Sequence, residues 1–269
     1  MTEIEKKNPG AIMTKEVIDA LTKTVLDLPQ ADCPVAHYFG PGTYIRQVTF
    51  PAGIFAIGHK QRFEQMNIFV AGRVAMVQPD GTLKELRAPM IFNGGPGQKM
   101  GIILETVTWL NVYPNPDDER DIDILENRFI DKEGPWTDAQ KPMDRSEDHE
   151  DYDKISDEVD KLFENMETTD LPEAFASVIT VRQSDIHGRG IFASWPWPEG
   201  NIIAPMTANG KPTILKRYLN HAKNPNAKIV KSPNGAMVLI ALRDIAGCRG
   251  GDQGEEITID YRNLHEVES

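Results

Sequence analysis

Two regions of the chain share a texture that leaves little room for a helical fold. At residues 44–50, 68–70, 74–78 and 102–112, short runs rich in β-branched and aromatic residues are broken by Pro51-Ala52-Gly53, Ala71-Gly72, Pro79-Asp80-Gly81 and Gly94-Gly95-Pro96-Gly97. Runs of that length suit half-buried strands, and the intervening residues supply turns. Pro79-Asp80-Gly81 is a hairpin turn with a mechanism, because proline sets φ and glycine accepts φ > 0. The same texture returns at 177–182, 190–193, 201–204, 237–242 and 256–261. One helix is expected at 14–28, where Met13, Val17, Leu21 and Val25 recur at helical spacing, Thr14 can cap the start and Pro29 follows the end. The expected fold is mainly β, with an antiparallel barrel or sandwich in the first region.

Charge separates the two β regions. From Asp117 to Asp170 there are 21 acidic and 7 basic residues, whereas the rest of the chain holds 20 acids and 22 bases. The middle therefore carries the whole excess of a chain whose net charge is −12. Such a run reads as a solvated linker, or as a docking surface for a basic partner. Ile155, Val159, Leu162, Phe163 and Met166 fall on one helical face, so a short amphipathic helix is expected within it. A chain of 269 residues suggests two domains. The expected divisions are an N-terminal helix at 1–30, a β-barrel domain at 31–116, an acidic, partly helical linker at 117–170 and a second β domain at 171–269.

Several function classes are not expected. A nucleic-acid binder would show a basic face, and none is visible. No apolar run reaches the roughly 18 residues of a membrane span. Residues 1–10 are polar and carry both charge signs, which fits neither a signal nor a transit peptide. Cys33 and Cys248 are distant in sequence and share no metal-ligand spacing, so free thiols in a reducing, cytoplasmic compartment are expected. His37 and His149 have no partners in spacing and are expected at surface or loop positions. Gly94-Gly95-Pro96-Gly97 lacks the Lys-Ser/Thr of a phosphate-binding loop and reads as a turn.

Three motifs stand in order in the second β region. They are His187-Gly188-Arg189-Gly190-Ile191-Phe192-Ala193, Lys216-Arg217-Tyr218-Leu219-Asn220-His221-Ala222-Lys223-Asn224-Pro225-Asn226 and Gly254-Glu255-Glu256-Ile257-Thr258-Ile259-Asp260-Tyr261. Together they resemble the signature of SET-domain protein lysine methyltransferases, in particular the small viral and bacterial members, which also lack C-terminal zinc ligands. The resemblance implies a SET-like β-clip domain, S-adenosylmethionine as cofactor and a protein or peptide carrying lysine as substrate. If phage-encoded, the protein would work in the host cytoplasm. In that family the first motif gives backbone contacts to the cofactor, which assigns Gly188, Arg189 and Gly190. Tyr218, Asn220 and His221 are likewise assigned to cofactor binding, and Tyr261 is assigned as the catalytic tyrosine beside the transferring methyl. Glu255 and Glu256 are expected to end a turn and pair on the surface. Ala222 replaces the usual serine after Asn-His, and only ten positions separate Met206 from Lys216, where relatives insert a substrate-shaping segment. These departures keep a non-catalytic assembly or adaptor protein as an alternative.

The first β region resembles a cupin. Gly53, His59, Gln61, Gln65 and Gly72 keep the frame of that family's first motif, but glutamine fills two ligand positions. Neutral amides are poor donors to a transition metal, so no metal is expected. The resemblance implies a barrel used for dimerisation or docking, or one holding a small ligand. A metal-dependent oxygenase or isomerase would need ligands that are missing.

Overall fold

The structure is a computed structural model that describes residues 13–132, 134, 167–233, 235–249 and 254–263. The amphipathic stretch expected over 155–166 and His149 lie outside the described residues. The chain divides into two compact units. The first comprises Met1–Ala31, Val48–Tyr113 and Asn127–Lys141; the second comprises Asp32–Gln47, Pro114–Glu126 and Pro142–Ser269.

In chain order the first half contains α1 (Lys15–Leu26), β1 (Val35–Gly40), β2 (Thr43–Phe50), β3 (Phe55–Ile57), β4 (Lys60–Gln61), β5 (Gln65–Val77), β6 (Leu83–Arg87), β7 (Met90–Gly94), β8 (Met100–Pro114), α2 (Ile122–Phe129) and β9 (Ile130–Asp131). The expected helix is α1, and the Thr14 side chain accepts from the Val17 N–H at its start. In the first unit, β8, β5 and β6 are hydrogen-bonded neighbours in that order, with β3 beside β8 and β7 beside β5. Phe69, Val74, Ile103 and Val107 are buried at its centre. The antiparallel strands are as expected, but the sheet has free ends and does not close into a barrel. Ala71-Gly72 is not a turn either. β5 runs straight through it, shifting register against β8. A Cβ at Gly72 would sit 2.2 Å from the Thr106 carbonyl oxygen, so glycine there permits close strand approach. The glutamines of the cupin-like frame are engaged within the unit. Gln61 Oε1 accepts from the Tyr113 hydroxyl at 3.0 Å, and the Gln65 amide nitrogen donates to the carbonyls of Phe63 and Gly94 at 2.6 and 3.2 Å.

The second unit adds α3 (Glu173–Ala176), β10 (Ile179–Gln183), β11 (Arg189–Ala193), β12 (Ile202–Pro205), β13 (Thr207–Ala208), β14 (Lys211–Pro212), α4 (Leu215–Tyr218), β15 (Asn220–His221), β16 (Ala227–Lys231), β17 (Met237–Ala241) and β18 (Glu256–Ile259). One sheet has the order β10-β11-β18-β15 and another β12-β17-β16. Ile191, Ile203, Leu215, Leu219, Leu239 and Ile257 are fully buried between them. Each such side chain contributes about 1.5–3 kcal/mol relative to exposure. β15 and β18 pair in parallel, Asn220 opposite Thr258 and His221 opposite Ile259. A parallel pair needs a long crossover, and the β16–β17 hairpin provides it.

Two expectations change here, and two residues distant in sequence come together. His37 is not on the surface: it is buried in β1, its Nδ1 is 2.7 Å from the Tyr44 hydroxyl, and the two rings stack. Cys33 and Cys248, distant in sequence, meet beside an antiparallel bridge, where the Cys33 N–H donates to the Cys248 carbonyl at 2.9 Å; both side chains are buried. The acidic segment also begins with ordered structure. Glu126 in α2 takes both Nη atoms of Arg182 at 3.1 and 2.9 Å, and the two side chains are only 4% and 6% exposed.

Burial first, then the Arg182 and Arg46 cations, push the His37 imidazole down to about 3, against a weaker opposing pull from Glu126. With the folded-state value below the unfolded one, the unfolded chain binds the extra proton between about pH 3 and pH 6.5. Stability is therefore fully present above the unfolded value and falls as pH drops through that window. Urea unfolding at pH 7 and pH 5 should show a loss of roughly 2 kcal/mol that a His37→Gln variant lacks; equal slopes in both proteins would refute the assignment. Glu126→Ala, which takes two carboxylate oxygens from a buried guanidinium, should cost about 3 kcal/mol in the same assay at pH 7.

Candidate functional site

The first motif forms the turn between β10 and β11, two strands paired in register from Ile179 opposite Ala193 to Gln183 opposite Arg189. Gly188 takes φ = +49°, a backbone region open to glycine at no steric cost. Nothing lies within 4 Å of where its Cβ would be, so the turn is open on that side. Gly190 is the opposite case. A Cβ there would fall 2.2 Å from Glu256 Oε1 and 3.1 Å from Ser184 Cβ.

The crowding arises because Glu256 is buried, not paired on the surface as expected. The Ser184 hydroxyl lies 2.8 and 3.0 Å from its two carboxylate oxygens, and Asn220 Nδ2 lies 2.9 Å from Oε1. The same nitrogen is 3.1 Å from the His187 carbonyl and 3.3 Å from that of Arg189. Asn220 thus ties the turn at 187–189 to β18, and its donor half is used within the protein. Glu255 pairs with Arg243 as expected: burial pulls its carboxyl up, but hydrogen bonds from Arg243, the Ala246 N–H and Asn226, together with the Arg243 charge, hold it below its ordinary range.

His221 is fully buried beside Asn220, and its Nδ1 accepts the Tyr261 backbone N–H at 3.1 Å. That bond places the accepting lone pair on Nδ1. Tyr261 opens a short 3-10 turn after β18, and its hydroxyl donates to the Leu219 carbonyl at 2.6 Å. The His221 and Tyr261 ring centroids are 5.4 Å apart. Tyr218, at the end of α4, packs half-buried against the core that contains Leu219 and Tyr261. The Arg189 side chain points elsewhere, to Asp121 and to the Val181 carbonyl at 2.7 Å. The structure thus links the Gly188–Gly190 turn to Asn220, and Asn220 through its neighbour His221 to Tyr261.

Sequence reasoning missed several residues of this constellation. Ser184, Glu256 and Asn226 were not among the assigned residues. Asn226 Nδ2 donates to the Glu256 carbonyl at 2.7 Å and its Oδ1 accepts the Thr258 N–H at 2.8 Å, replacing a strand neighbour for β18. A polar residue three positions before His187, in a run otherwise set by strand alternation, was the only available signal for Ser184. Gly190→Ala should destabilise the protein by about 1–3 kcal/mol through overpacking, read by chemical denaturation. A variant as stable as the parent would show that the carboxylate can step aside.

No curated protein matches the chain. Solved structures similar to its N-terminal region are cupin and double-stranded β-helix proteins. One is an RmlC-like cupin family protein from Methanocaldococcus jannaschii (17% identity, 32% of this chain and 83% of that one, TM-score 0.27). Another is KdgF from a Halomonas species (16% identity, 37% and 94%, TM-score 0.27). A third is an ectoine synthase from P. lautus (10% identity, 33% and 67%, TM-score 0.28). The family model of the SET domain matches residues 122–262, more than half of the chain and every residue of the constellation above. With that match, this chain belongs to the SET-domain family, whose fold is that of protein lysine methyltransferases.

Proposed function

We propose that the protein is an S-adenosylmethionine-dependent protein lysine methyltransferase. The observation that carries this reading is the convergence of Asn220, His221 and Tyr261 with the 187–190 turn in one hydrogen-bonded cluster. The open side of Gly188 fits a flat adenosine-type ligand approaching the backbone. Gly188, Arg189, Gly190, Tyr218, Asn220 and His221 would hold the cofactor, which supplies an electrophilic methyl group when bound.

The chain's own residues do the remaining work. A lysine amine reacts only when neutral, although its ordinary value is about 10.4. A water-poor surrounding lowers that value, and Tyr261 and His221 are buried among apolar side chains. The Tyr261 proton is committed to the Leu219 carbonyl. Its oxygen therefore presents lone pairs, which accept an amine N–H and hold the nitrogen in line for attack. Orientation of this kind supplies most of the rate where no strong base is required.

The first unit is read as a metal-free module for dimerisation or docking, on the strength of its engaged glutamines and of Met66, Val70 and Ile91. These share one sheet face and are 47%, 48% and 67% exposed. Among the described residues no helix is long and apolar enough to cross a membrane.

Calorimetry of the full chain with S-adenosylmethionine should show one site, and no heat at millimolar ligand would reject the reading. Tyr261→Phe should lower turnover on lysine-containing peptides on the order of a hundredfold while cofactor affinity stays near that of the parent.

A further inference from the structure

Two carboxylates at the start of α2 reach the hairpin that carries the cofactor turn, one to each arm. Asp121 Oδ1 accepts the N–H groups of Asp123 and Ile124 at 2.9 and 3.2 Å, capping the helix, while its Oδ2 pairs with Arg189 on β11. Asp123 Oδ2 accepts the Gln183 N–H at 3.0 Å and Oδ1 pairs with Arg182 at 3.2 Å, both on β10. One turn further on, Glu126 completes the hold on Arg182. The segment leading into α2 is itself braced: Asn115 is bonded through both ends of its amide to Glu119, and Glu119 Oε1 accepts the N–H groups of Arg120 and Asp121.

Arg189 is where this brace meets the site. Its guanidinium joins Asp121 to the Val181 carbonyl across the hairpin, and its own carbonyl is one of the acceptors around Asn220 Nδ2. A shift of Arg189 therefore moves a wall of the proposed cofactor pocket directly. The pair is part-exposed, at 31% and 19%, so its contribution to global stability is small. Its geometric consequence is local. We infer that Asp121 is a positioning residue for cofactor binding, acting through Arg189 to fix the 184–190 turn. This inference rests on the methyltransferase reading and adds a residue that lies outside all three motifs.

Asp121→Asn tests it cleanly, because asparagine caps a helix as well as aspartate does but lacks the charge that holds Arg189. In the full-length protein, the cofactor Kd and KM should rise roughly tenfold. The kcat at saturating cofactor and the KM for a lysine-containing peptide should stay unchanged, with a melting temperature within about 2 °C of the parent. Asp121→Glu should recover most of the cofactor affinity. Amide hydrogen exchange at 184–190 should quicken in Asp121→Asn while α2 keeps its protection. Parental cofactor affinity, or a fall in melting temperature with exchange faster throughout the unit, would overturn the inference. If the parent protein binds no cofactor, the methyltransferase reading fails; unchanged exchange at 184–190 would then overturn the brace as well, and selective quickening there would uphold it.

Discussion

Glu256 carries a carboxyl group into the core of the second unit, and a buried polar group persists only when hydrogen bonds replace water. Ser184 and Asn220 supply them. Each donor is fixed in turn: Ser184 Oγ accepts the Ile186 N–H, and Asn220 is held in a strand parallel to β18. Gly190 is glycine because the carboxylate occupies the space its side chain would need. The three motifs, spread over some seventy residues, thus become one object around a single buried carboxyl group, which ties the turn to the Asn-His pair and to the strand that leads into Tyr261.

Much of the fold was legible because its signals are local. The helical spacing of Val17, Leu21 and Val25, the cap at Thr14 and the turn at Pro79-Asp80-Gly81 need no tertiary context, and all three appear as expected. Ala71-Gly72 misled because a glycine that allows two backbones to approach looks, in one dimension, like a glycine that turns a chain. His37 and Glu256 misled for a related reason. Both are polar residues buried against partners that their own segments do not supply, the Tyr44 ring and the Ser177 carbonyl for the first, Ser184 and Asn220 for the second. The acidic excess hid α2, since Asp121, Asp123 and Glu126 count as solvated charge until Arg182 and Arg189 are seen opposite them.

The two units treat interior polarity differently. In the first, amides answer one another: Asn67 Oδ1 takes both the Trp109 indole N–H and the Asn111 amide, and Gln61 takes the Tyr113 hydroxyl. Neutral groups satisfied in pairs carry little electrostatic field and give little pull on a cation. In the second, full charges are buried and matched, as in Arg182–Glu126.

The parallel contact between β15 and β18 has a further consequence, for the order in which the molecule can be assembled. The Asn-His strand cannot gain its neighbour until the β16–β17 hairpin and the loop after it have been laid down, and pairings of such separation in sequence form late. The turn and the Asn-His strand precede the carboxyl group and the phenol in the chain, so they are made first. Until β18 pairs, Asn220 has only the turn carbonyls and the Ser184 hydroxyl to bond. The hydrogen-bonded cluster is therefore completed last, by the strand that brings Glu256.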